Sequence, residues 1–169
     1  MHIGYLIVLD TNCINARQKD SSMNELEQLA DEGRIDIETT DTSLNELGGD
    51  YPKGEKKAGK YIFSMGSMVL GHSKFGTSVL GSKEDDDRLG ELLDIFFEHK
   101  HRWNYSDQEM GDAMQISTAI RYGAKFFVTR DRKLLYRSDE VKNKFEIIIA
   151  NPESCLLAVK DRLETISTF

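Results

Sequence analysis

"YLIVLDTN", residues 5–12, is an apolar run that stops abruptly at three polar side chains. Residues 5–9 are rich in Ile, Val and Leu and do not alternate, so they read as a strand buried on both faces of a sheet. Such a strand ending in a carboxylate, Asp10, needs a reason. "KFFVTRD", residues 125–131, repeats the arrangement, with an apolar strand followed by Thr129, Arg130 and Asp131. "RIDIETT" (34–40) alternates and reads as a further strand, and so does the apolar "FEIIIA" (145–150).

Helical stretches lie between these strands. In "SSMNELEQLADEG", Ser22 is placed as the cap, Glu25 completes a capping box three residues on, and Gly33 is the stop. "TSLNELGG" reads as a short helix closed by Gly48 and Gly49. "KEDDDRLGELLDIFFEHK" carries acids in its first turn and Lys100 at its end, as the helix dipole favours. There Asp85 to Asp87 read as a helix start and nothing more. "SDQEMGDAMQISTAIRYG" is the clearest helix, capped by Ser106, boxed by Glu109 and ended by Gly123. Pro152 opens the last one. Strands alternating with helices imply an α/β fold, a parallel sheet flanked by helices on both faces. Only residues 50–83, rich in glycine, break the pattern, and they read as an insertion in one domain.

The totals agree with a single globular domain. The chain has 169 residues, 39% hydrophobic and 30% charged, enough for a core and unlike a disordered chain. No apolar run approaches the ~20 residues of a membrane helix, and no basic segment precedes the first apolar stretch as in a signal peptide. The expectation is a cytoplasmic protein with Cys13 and Cys155 reduced. The net charge of −7 argues against a protein that coats nucleic acid through charge. It is compatible with carboxylates gathered around a metal.

Four carboxylates are candidates for that role. Asp10 and Asp131 follow strands, and ligands of open parallel sheets bind at the carboxyl ends of the strands; the ordinary alternative for each is a cap. Asp112 lies one turn before Ile116 on the apolar stripe that continues through Ala119 and Ile120, so it faces the sheet unless that end of the helix is exposed. Glu46 follows the second strand, although "SLNE" from Ser43 could be a capping box by itself. Four acids brought together repel one another unless a hard cation sits between them, and oxygen ligands suit Mg²⁺ or Mn²⁺.

The series "VLDTN", then Glu46 in a short helix, then "DAMQISTAIRYGAKFFVTRD" (112–131) resembles the PIN domain of metal-dependent ribonucleases. The resemblance covers nearly the whole chain apart from residues 50–83, and its last block is the most specific part. It implies one PIN-like domain over residues 1–169 and hydrolysis of phosphodiester bonds in single-stranded RNA. Asp10, Glu46, Asp112 and Asp131 would be the catalytic, metal-binding acids, with Thr11, Asn12 and Thr129 orienting them. It also suggests a toxin of the toxin–antitoxin kind, with RNA, an antitoxin-like inhibitor protein and a second copy of the chain as expected partners and no membrane. The chain departs from the family in its long glycine-rich segment and at Lys133, where some members carry a further acid.

Other signals are weaker. His99 and His101 are two apart and fall on different helix faces, so they make no metal site. "HKHRW", ending in Trp103, could touch phosphate or stack a base, but an ordinary helix end explains it as well. Arg121, Lys125, Arg130, Arg132, Lys133 and Arg137 form a basic run around the third and fourth acids, and Arg130, Arg132 and Lys133 are the candidates for binding substrate. Two alternatives remain: a PIN-like module that binds RNA or protein without catalysis, and a phosphatase of the haloacid dehalogenase type. The second needs another Asp two residues after Asp10, where this chain has Asn12.

Overall fold

The structure is a computed structural model, and it describes residues 2–16, 19–43, 64–65, 82–97, 101 and 104–167. Five strands are described: β1 (Leu6–Leu9), β2 (Asp36–Thr40), β3 (Ser64–Met65), β4 (Phe126–Val128) and β5 (Ile148–Ala150). They form one sheet in the order β3-β2-β1-β4-β5, and every pairing is parallel. The helices are α1 (Thr11–Ala16), α2 (Ser21–Asp31), α3 (Lys83–Phe96), α4 (Asp107–Arg121), α5 (Arg132–Tyr136), α6 (Ser138–Phe145) and α7 (Pro152–Ser167).

The two-residue period of a strand sends neighbouring side chains of β1 into different layers. Ile7 and Leu9 pack with α1, α2 and α7 through Cys13, Met23, Leu26, Cys155 and Val159. Val8 packs with α3 to α6 through Leu92, Met114, Ile116, Leu134 and Val141. A strand filled with apolar residues on both faces is therefore the middle of a three-layer α/β/α fold, as the sequence implied.

Most boundaries follow their expected causes. Ser106 caps α4 and Glu109 returns a bond to the Ser106 amide. Gly33 and Gly123 have φ of +66° and +73°, the left-handed geometry that lets the chain leave a helix. Pro152 opens α7.

Three readings need correction. The cap of α2 is Asp20, whose carboxylate accepts from the Ser22 and Met23 amides; Glu25 instead pairs with Lys160 at 2.6 Å. The strand expected from Phe145 begins at Ile148, because α6 runs through Phe145 and ends in Glu146 at φ +60°. Asp85 is a buried anchor. It completes the capping box with Ser82 and pairs with Arg88 at 2.9 Å and with Arg121 of α4 at 2.7 Å. Helical structure begins again at Asp41–Ser43, but the rest of that expected helix, the glycine-rich segment apart from Ser64–Met65 and residues 82–83, His99, Lys100 and Trp103 lie outside the described residues.

Candidate active site at the carboxyl edge of the sheet

In a sheet ordered β3-β2-β1-β4-β5, the chain builds one way from β1 and then the other. The topological switch point is between β1 and β4, where open α/β sheets bind ligands. Asp10 follows β1 there and Thr129 follows β4, joined by the bond from the Asp10 amide to the Val128 carbonyl at 2.9 Å.

Asp10 is 5% exposed. Its Oδ2 accepts from the Thr129 hydroxyl at 2.6 Å and from the Asn12 amide at 2.5 Å. The Thr129 hydroxyl also accepts from Asn12 Nδ2 at 3.2 Å and from the Asp131 amide at 3.0 Å, so its one donor and two acceptor positions are all used. Asn12 is equally committed. Its Nδ2 serves Asp10 and Thr129, while its Oδ1 accepts from the Arg130 amide at 3.0 Å and the Cys13 thiol at 3.3 Å. That pattern fixes which way the Asn12 amide points, since the flipped form would set its oxygen against a carboxylate.

Asp131 stands at the edge of this network. It caps α5, accepting from the Lys133 amide at 2.7 Å, so the ordinary reading as a cap is present. Asp10 also precedes a helix, but its side-chain oxygen is engaged across the sheet. Thr11 opens α1. Asp112 is half-buried on α4. The Ser43 hydroxyl donates to Gln115 Oε1 at 2.6 Å, which ties the turn after Asp112 to the carboxyl end of β2. Glu46 lies outside the described residues. Among the described residues, no three His, Cys, Asp or Glu side chains gather closely enough to hold a metal ion by themselves. The structure therefore joins Asp10, Asn12, Thr129 and Asp131 into one unit.

One acid went unremarked in the sequence. Asp41 follows β2 directly and is buried. Leu9 pairs with Thr39, so the neighbouring strands β2, β1 and β4 are each followed within three residues by an aspartate. In the sequence this acid is the third residue of "TTD", where an aspartate after a strand looks like an ordinary turn or cap residue.

The basic run divides. Arg121 belongs to the Asp85 pair, and Arg130 is paired with Asp20, the cap of α2. Arg132 and Lys133 are exposed on α5. Arg130 and Arg132, with Asp20 and the first residues of α2, Ser21 and Ser22, and with Asn151 and the first residues of α7, line a cleft of about 540 Å³ beside Asp131. Cys13 and Cys155 are buried free thiols. Burial pushes both up to about 12, with Asp10 adding to the effect on Cys13. No described helix is long and apolar enough to cross a membrane. A scan against protein-family models gives no match, and a search of curated proteins gives none either.

Proposed function

We propose that this chain is a metal-dependent endoribonuclease of the PIN type, acting in the cytoplasm on single-stranded RNA. The observation that carries the reading is the buried Asp10 at the switch point, with Asn12 and Thr129 saturated in holding it. The Asn12 amide and the Thr129 hydroxyl are neutral donors, so these two orient the carboxylate without cancelling its charge. That suits a ligand to a hard cation. Asp10 and Asp131 offer oxygen donors of the kind Mg²⁺ or Mn²⁺ takes, and Glu46 and Asp112 are the further acids of the proposed set.

When bound, such a cation supplies Lewis acidity: a more acidic water and neutralised phosphate charge. The chain's own side chains do the rest. Asn12 and Thr129 hold Asp10 in one rotamer. Asp131 is fixed by its capping bond and by its amide on Thr129. Arg132 and Lys133 are placed to meet the phosphate backbone, whereas Arg130 is occupied by Asp20. Asn12 also bears on the phosphatase alternative. A haloacid dehalogenase chemistry needs an acid at that position, and here an amide uses all four of its bonds to hold the site together.

The test is cleavage of single-stranded RNA in Mn²⁺, run beside thermal melts with and without the metal. Asp10→Asn should lower cleavage by orders of magnitude, as loss of a metal-activated water does. It should also shrink the stabilisation by Mn²⁺, which follows affinity for the folded state. A variant that cuts RNA and gains from Mn²⁺ as the parent does would overturn the reading. Binding of RNA without any cutting would favour the non-catalytic module.

A further inference from the structure

Helix α5 carries, beyond the groups already assigned to the site, an exposed aromatic ring. Residues 130–137, "RDRKLLYR", hold four basic side chains and one acid, a local charge of 4 − 1 = +3 in a chain whose net charge is −7. In this stretch Tyr136 is 83% exposed. One exposed ring needs no special cause, but three further observations attach to this one. The Arg137 guanidinium lies 5.6 Å from the ring centroid. Arg132, also exposed, precedes Tyr136 by four residues and so shares its face of the helix. The helix is capped by Asp131, whose amide is bonded to the Thr129 hydroxyl that holds Asp10.

The placement is firm. Leu134 is buried in the core between α5 and its neighbours, so α5 cannot roll without exposing it. A rise of about 1.5 Å per residue puts Tyr136 about 7.5 Å along the axis from Asp131. Arg137 also bonds Glu140 at 3.3 Å, but an exposed pair of this kind is weak and yields readily to a phosphate.

We propose that Tyr136, flanked by Arg132 and Arg137, is a stacking platform for one base of a single-stranded RNA whose backbone runs past Asp131. A flat ring accepts any base on its face, and guanidinium groups beside it meet the phosphates on either side of that base. The identity of the strand rests on the ribonuclease reading above; the binding itself does not.

The experiment measures binding of a short fluorescent oligouridylate by anisotropy, with chelator present so that nothing is cut, over a series of salt concentrations. Loss of one stacked base weakens binding by about ten-fold or more, so Tyr136→Ala should bind about ten-fold more weakly with an unchanged salt slope. Tyr136→Phe should bind as the parent does, and Tyr136→Leu, with bulk but no ring, should be as weak as the alanine variant. Arg132→Ala should reduce the slope of log K against log salt by about 0.7, the value for one phosphate contact on a single strand. Melting curves check that each variant folds; the ring is exposed, so the core is untouched.

The proposal is overturned if Tyr136→Ala binds like the parent, if it changes the salt slope as Arg132→Ala does, or if the parent binds no oligouridylate at low salt. Cleavage in Mn²⁺ is read separately. The expected binding pattern without cleavage would overturn the ribonuclease reading and leave the platform standing. Cleavage with Tyr136→Ala unimpaired in binding would do the reverse.

Discussion

Asp85 sits in the first turn of α3, where any acid would be welcome to the helix dipole. Burial is the largest single influence and would raise its pKa, but the bonds from the Arg121 guanidinium, the Ser82 amide and hydroxyl and Arg88 together outweigh it. The carboxyl is held well below the usual range. A carboxylate in the unfolded chain titrates near ~3.9, so the contribution of Asp85 is complete above that value and is lost as pH falls through the lowered one. Asp85→Asn should lose about 2 to 3 kcal/mol at neutral pH, as for a buried charged group with two partners. It should also show a shallower loss of stability in acid. Urea unfolding of both proteins at neutral and acid pH measures this, and a mutant with the parent's acid profile would refute it. The thiols give a second expectation at this scale. With Cys13 and Cys155 buried and pushed up to about 12, an aromatic disulfide reagent at neutral pH should label neither until the protein unfolds. The partner of Asp85 was not legible in the local sequence. Arg121 lies on another helix, and a run of acids before an amphipathic helix looks the same whether it is solvated or buried.

Among the elements, α4 was the most legible, because every one of its signals is local. The serine cap, the glutamate three residues on and the terminal glycine act within a turn of one another. Gly123 at φ +73° sits where a side chain is strained, so Gly123→Ala should cost about 1 kcal/mol. A denaturation midpoint equal to the parent's would refute that. The short helices α5 and α6 were not legible. Their thirteen residues, Arg132–Tyr136 and Ser138–Phe145, carry few apolar positions, and only Leu134, Leu135, Val141 and Phe145 of the two helices enter the core layer. With so weak a stripe, the periodicity signal is lost in the polar background, and tertiary packing decides. The cap of α2 was misread for a related reason. Asp20 and Ser22 are both good caps, and the choice depends on how the chain arrives from α1.

For the molecule as a whole, the switch point brings together groups 119 residues apart in the chain. Thr129→Val keeps the shape but removes the hydroxyl that joins Asp10, Asn12 and Asp131. Stability should fall by about 1 to 3 kcal/mol, the cost of leaving a buried polar group without its partner, and the gain from Mn²⁺ in thermal melts should shrink. Thr129→Ser keeps the hydroxyl and should restore most of both. If valine and serine behave alike, the hydroxyl is not what holds the site.

The sequence by itself determined the alternation of strands and helices, the parallel sheet and the candidacy of Asp10 and Asp131. Those follow from period, capping and the rule that strands buried on both faces are apolar throughout, all of which act over a few residues. It did not determine that Asn12 spends all four of its hydrogen bonds on the site, that Asp41 is buried beside the same edge, or that Arg130 and Arg121 are occupied by Asp20 and Asp85. Hydrogen bonds and ion pairs reach only about 3 Å, so which groups they join depends on strand order and register. Those are decided when the sheet closes around its two cores.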